Sequence, residues 1–281
     1  MSDSTSHPVP LSRDAEIPGV GRVCRLGLAT RGNTHLTADD VLRAIDRGIN
    51  YLNWCGHPDG MRDAIRRLGE GRRDVCIAVQ LEARTAVAAR SELAAFLDEL
   101  QTDFLDVVTC YHVEHPDEWA EIAGPGGAAE ALEEARRAGT VRAIGLTSHQ
   151  RPVAALAAES GRLDLLMIRY NAAHRRAEQE IFPITTARAM PVIAFTCLRW
   201  GALLRPTPDD PPGYQVPAAP EWYRYVLSHP AVSVALAAPN GAAELDEDLT
   251  LLDDWRGLSA AEREAMERHG ARVRAHAGQF P

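Results

Sequence analysis

The chain has 281 residues, 46% of them hydrophobic, and a formal net charge of −9. That length is long for one ordinary domain and normal for an α/β barrel. The acidic balance argues against a nucleic-acid or anionic-membrane surface, and no apolar run approaches the roughly 18 residues that a membrane span needs.

The first stretch, "MSDSTSHPVPLSRDAE", is polar and lacks the basic-then-apolar order of a signal peptide. Residues 1–20 are therefore expected to be a poorly ordered tail on a cytoplasmic protein. "VCRLGLAT" (23–30) is rich in β-formers, and "TADDVLRAIDRGI" (37–49) follows with a Thr N-cap and apolar residues at helical spacing. "NYLN" is a short strand and "GMRDAIRRLG" (60–69) a helix. "DVCIAVQL" (74–81) is a nearly continuous apolar strand, followed by the helix "VAARSELAAFLDELQ" (87–101). The strand "FLDVVTCYHV" (104–113) leads to the helix "AAEALEEARRAG" (128–139), which closes on a Gly C-cap.

The alternation continues through "VRAIGLTS" (141–148) as a strand, "RPVAALAAESG" as a helix and "LDLLMIRYN" (163–171) as a strand. "AEQEIFPITTARAM" (177–190) is expected to be a helix and "PVIAFTC" (191–197) a strand. A proline-rich insert at 205–220 precedes the helix "EWYRYVLSHP", the last strand "AVSVALAAP" (231–239) and the final helices. Eight strands, each apolar enough to be buried on both faces and each followed by a helix, predict a single (β/α)8 barrel over residues 21–281. The five cysteines show no CxxC spacing and sit mostly in apolar runs, as free thiols of a reducing compartment do.

Barrel chemistry collects at the C-terminal ends of the strands. The candidates there are Asn53 to His57, Gln80 and Glu82, Tyr111 to His115, Ser148 and His149, Arg169 to Asn171, Phe195 to Arg199, and Ala238 to Gly241. Cys55 has the bland alternative of a small buried hydrophobe, Trp54 that of core packing, and His57 that of a loop cap. His112, Glu114 and His115 of "YHVEH" offer metal-donor atoms, but two histidines three apart suit one helix face and not a strand end, so no metal site is expected. A guanidinium at Arg169 wants an anionic substrate group or a carboxylate such as Glu82.

Several of these stretches together resemble the aldo-keto reductase superfamily. "RGINYLNWCGHPDG" resembles its Gly-Ile, short strand and Asp-Thr-Ala pattern, and "LQTDFLDVVTCYHVEH" its Leu-x-Thr-Asp-Tyr-x-Asp strand. "ARRAGTVRAIGLTSH" is similar to its Gly-Lys-Val-Arg-x-Ile-Gly, "IRYNAAHRRAE" to its Tyr-Asn segment, and "VIAFTCLRWGALL" to its Tyr-x-Pro-Leu-x-x-Gly-x-Leu. The resemblance implies a carbonyl reductase that works with a nicotinamide cofactor, NADP or NAD, on a small molecule. It places the cofactor on Ser148, His149, Asn171, Phe195 and Thr196, and puts Met167 where the family has a glutamine.

The family's Asp, Tyr, Lys and His tetrad is missing. Asn53 stands for the aspartate, the tyrosine falls near Pro58, Gln80 stands for the lysine, and Tyr111 or His112 for the histidine. All thirty basic residues are arginine, so no lysine anywhere can tune a phenol. Standard aldehyde reduction is therefore expected to be negligible.

Asn53, His57, Gln80, Tyr111 and His112 are expected to form one polar pocket floor, with Trp54 and Phe195 as walls and Tyr111 or His112 moving the proton. An oxidoreductase with rewired acid chemistry, a non-redox lyase, isomerase or cyclase, and a silent scaffold are the three open functions.

Overall fold

The computed structural model describes residues 11–30 and 34–276. The barrel strands are β3 (Leu26–Ala29), β4 (Tyr51–Trp54), β5 (Cys76–Leu81), β6 (Leu105–Cys110), β7 (Val141–Ser148), β8 (Leu165–Arg169), β9 (Val192–Phe195) and β10 (Val232–Ala237). They run parallel and close in the order β10-β3-β4-β5-β6-β7-β8-β9, as the sequence predicts.

Two earlier strands, β1 (Asp14–Ile17) and β2 (Gly21–Cys24), pair antiparallel as a separate hairpin. Its Ile17 and Val23 pack with Tyr51, Cys76, Leu165 and Val234 inside the barrel. The tail expected over residues 1–20 is thus too long. Its second half supplies the first strand and the turn of the hairpin, and residues 1–10 lie outside the described residues.

The strand expected over 23–30 is also split, at Arg25. This buried guanidinium donates to the carbonyls of Leu227 and Val232, both at 2.7 Å, and to that of Ser233. It stitches the foot of β10 to the hairpin. A cavity of about 520 Å³ lies beside it at the N-terminal end of the barrel, opposite the strand ends where barrel chemistry collects.

The helices are α1 (Ala38–Asp46), α2 (Gly60–Arg67), α3 (Ala86–Leu100), α4 (Pro116–Ala123), α5 (Ala128–Ala138), α6 (Arg151–Glu159), α7 (Ala177–Glu180), α8 (Phe182–Ala187), α9 (Ala219–Leu227), α10 (Ala242–Leu249) and α11 (Ala260–His276). Thr37 and Asp40 form the capping box that starts α1, and Gly139 at φ +80° ends α5. The helix expected over 177–190 is two pieces, because Pro183 in the first turn of α8 cannot donate back to α7. The 205–220 insert is irregular but anchored. Asp210 accepts from Thr207 N and from Arg272 of α11. Among the described residues no helix is long and apolar enough to cross a membrane.

The barrel interior is filled. A Cβ on Gly27 would come within 2.9–3.1 Å of Val234, Leu236 and Tyr51, so only glycine leaves room for the tyrosine.

One buried acid ties stability to pH. Asp248 of α10 is 3% exposed, and its Oδ2 accepts from the Tyr223 hydroxyl at 3.4 Å. Burial, then the nearby charges of Glu247 and Glu244, push its carboxyl up to about 8. The folded state therefore holds a proton that the unfolded chain releases near pH 4. Its stabilising contribution is complete below that pH and is lost as pH rises toward 8, with a slope of up to about 1.4 kcal/mol per pH unit. Asp248→Asn removes the titration while keeping the shape. The urea midpoint of this variant should fall less between pH 5 and 8 than that of the parent, and equal slopes would contradict the assignment.

Candidate active site

Side chains alternate in and out along each strand. Tyr51 and Ala78 point into the barrel core, which places Asn53 and Gln80 inward one layer higher. The same alternation turns Thr147, Arg169 and Phe195 toward the mouth, with Arg169 paired in register to Phe195. Tyr111 N donates to Leu81 O at 2.8 Å, so the β6 ladder continues one rung and half-buried Tyr111 also faces inward.

Asn53 and Gln80 do not bond in the way the lost aspartate and lysine would suggest. Gln80 Nε2 approaches Met167 Sδ at 3.9 Å and Asn53 Nδ2 approaches Cys55 Sγ at 3.4 Å. Asn53 Oδ1 is buried with no hydrogen-bond partner, as are Thr147 Oγ1 and Thr196 Oγ1.

Above this floor the rings of Tyr111, His112, His149 and Phe195 form a row, with successive centroids 5.6, 5.1 and 5.2 Å apart. Glu114 fixes the row: its Oε1 accepts from His149 N at 2.7 Å and lies 3.3 Å from His149 Nδ1. Burial first, then the charge of Arg169, lower the pKa of His149. His112, Glu114 and His149 bring three possible metal donors within 4.8 Å of one another. The sequence offered His112 and Glu114 with His115 as the third donor, but His115 is the N-cap residue of α4 and His149 stands in its place.

Several sequence expectations need correction. Trp54 points outward onto Phe96 of α3 (5.9 Å, 81°), and its indole donates to His57 O at 2.8 Å. It packs the barrel against a helix and is no pocket wall. His57 is exposed and contributes that carbonyl to the loop, so it does not belong to the floor. His112 is exposed as well, and its ring belongs to the row above the floor rather than to the floor itself.

Ser148 Oγ is held in a local turn with Gln150. Asn171 is fully buried and clips two loops, donating to Thr196 O at 2.8 Å and accepting from Ala173 N. The acid that acts on Arg169 is Glu114 rather than Glu82.

Thr147 was missed, and Glu114 was named only as a strand-end residue and a possible metal donor, not as the holder of His149. Thr147 was open to discovery by strand alternation from Gly145. Glu114 stands between the histidines of "YHVEH", where only the fold shows what it holds.

Backbone strain concentrates at the same end. Six described residues other than glycine have positive φ: Gln101 and Ala189 follow helices, whereas His112, Thr196, Arg199 and Trp200 sit in loops at the mouth, with φ from +49° to +52°. Such conformations cost about 1–3 kcal/mol each and persist where the surroundings impose them.

The aldo/keto reductase family model matches residues 25–219. An aldo-keto reductase from Bacillus halodurans in its holo form aligns with 19% identity over 94% of this chain and 96% of that one, at a TM-score of 0.72. An aldo/keto reductase from Klebsiella pneumoniae in complex with NADP and acetate aligns with 19% identity, covering 93% and 96%, at 0.73. The glycerol dehydrogenase of Gluconobacter oxydans gives 18% identity, 96% and 98%, at 0.70. At these identities the likeness shows the fold. No curated protein matches the chain by sequence.

Proposed function

Because the chain belongs to the aldo/keto reductase family, we propose that it is a nicotinamide-linked oxidoreductase acting on a small molecule at this mouth, with Tyr111 handling the proton. The observation that carries this reading is the coincidence of strain and unmet hydrogen bonds. Four left-handed residues surround the mouth, and three buried oxygens lie at or beneath it. A buried polar atom without a partner costs about 1–3 kcal/mol, so a scaffold would gain nothing by keeping them.

The residues present fit a nicotinamide. Phe195 offers an aromatic ring, and Thr147, Thr196 and Asn53 offer acceptors for an amide. When bound, that group supplies or accepts the hydride. The complex of the Klebsiella protein with NADP and the dehydrogenase activity of the Gluconobacter protein support this reading.

The chain's own part is positional and protonic. Tyr111 faces the barrel axis and can donate its hydroxyl proton to a developing alkoxide, while Asn53 and Gln80 bring neutral amides to the same floor. With no lysine in the chain, the phenol works as a hydrogen-bond donor without an adjoining ammonium.

NADH should bind at least as tightly as NADPH. Residues 231–255 contain no arginine, and at the head of α10 the Glu244 carboxylate accepts from Asn240 N at 2.7 Å. A 2′-phosphate there would meet acids instead of the guanidinium it requires. Paired fluorescence titrations test both points: no saturation with either nucleotide would defeat the proposed function, and a clear NADPH preference would defeat the specificity.

A further inference from the structure

Beside the ring row a cleft of about 70 Å³ opens between the ends of β7 and β8, the start of α6 and the last helix. Arg151, Arg169, Arg176, Arg274, His149 and His174 line it. Three separate segments thus deliver four guanidinium groups to one small space, on a chain whose net charge is −9. Burial, followed by the charges of Arg169, Arg199, Arg274 and Arg151, lowers His174 to about 4, and burial lowers Arg169 to about 10.

Among the described residues, Glu180 pairs with Arg151, and Glu114 acts on Arg169 and His149. Like charges held this close oppose folding, and an anion would offset them. The volume suits a small group, since one water takes about 30 Å³ of liquid. Guanidinium forks match carboxylate and phosphate oxygens, and the N-terminus of α6 adds its partial positive charge. The same charges oppose a cation on the neighbouring His112, Glu114 and His149 donors.

We propose that this arginine-lined cleft binds the carboxylate or phosphate of the substrate, so that the enzyme acts on small anionic carbonyl or hydroxy compounds. His149 belongs both to the cleft and to the ring row, so an anion held here leaves the remainder of a short molecule over Tyr111 and Phe195. The substrate class rests on the redox reading above, whereas the anion site does not.

The test uses the full chain with inorganic phosphate and acetate as probes, each followed by calorimetric titration and by Tm against sodium chloride of equal ionic strength. Arg176 and Arg274 are exposed, so the double variant Arg176→Gln/Arg274→Gln should fold normally. One probe should bind and raise Tm beyond the chloride control, the tighter one identifying the substrate as a phosphate or a carboxylate. The double variant should bind it about tenfold more weakly, as expected for losing charge-assisted hydrogen bonds.

Neither anion outperforming chloride, or undiminished binding in the variant, would overturn the proposal. A parallel loss of NADH affinity in the variant would also overturn it by assigning the cleft to the cofactor's phosphates. Phosphate or acetate binding without any NADH binding would leave the anion site standing and sink the redox reading alone.

Discussion

Tyr111→Phe should lower turnover by about 10²–10⁴-fold with little change in KM, the amount general acid catalysis contributes in the transition state. The substitution removes one oxygen and keeps the ring in the row with His112, so packing is retained. His112→Gln is the matched control. Its ring is the exposed member of the row, and turnover should stay within a few-fold of the parent. The reverse pattern, with His112→Gln inactive and Tyr111→Phe active, would transfer the proton role to the histidine.

Asp106→Ala should cost about 3–5 kcal/mol of folding stability, read from urea unfolding, because it strips the partner from buried positive charge. Asp106 is 1% exposed at the foot of β6. Its oxygens accept from Arg72 at 2.9 Å, Arg142 at 2.8 Å and Ile77 N at 2.9 Å. The two guanidinium groups also flank the Phe104 ring, at 4.0 and 4.1 Å from its centroid. One carboxylate thus joins β5, β6 and β7 through a stacked cation–aromatic–cation group. A loss under about 1 kcal/mol would show that the cluster is solvated like a surface ion pair.

The barrel was legible because every strand from "DVCIAVQL" onward is apolar on both faces, a pattern only a covered parallel sheet requires. The hairpin was not, since "DAEI" and "GRVC" are short and polar, and what makes them strands is the barrel floor that Ile17 and Val23 seal. At the site, strand-end position alone located Asn53, Gln80, Tyr111, Arg169 and Phe195. It failed for Trp54 because neighbouring residues on a strand face opposite sides, so Asn53 inward means Trp54 outward. It failed for His57 because a loop beyond the strand has no such period. Arg274 stands more than a hundred residues from Arg169 and Arg151, and no local pattern links it to them.

The most direct measurement is hydride transfer itself. The protein is incubated with NADH deuterated at the nicotinamide C4 and with a panel of small ketones and aldehydes, with and without carboxylate or phosphate groups, and products are read by mass. The account predicts deuterium on the former carbonyl carbon of at least one product, and its loss in Tyr111→Phe. Saturated cofactor with no deuterium in any product would contradict it and leave the mouth to non-redox chemistry.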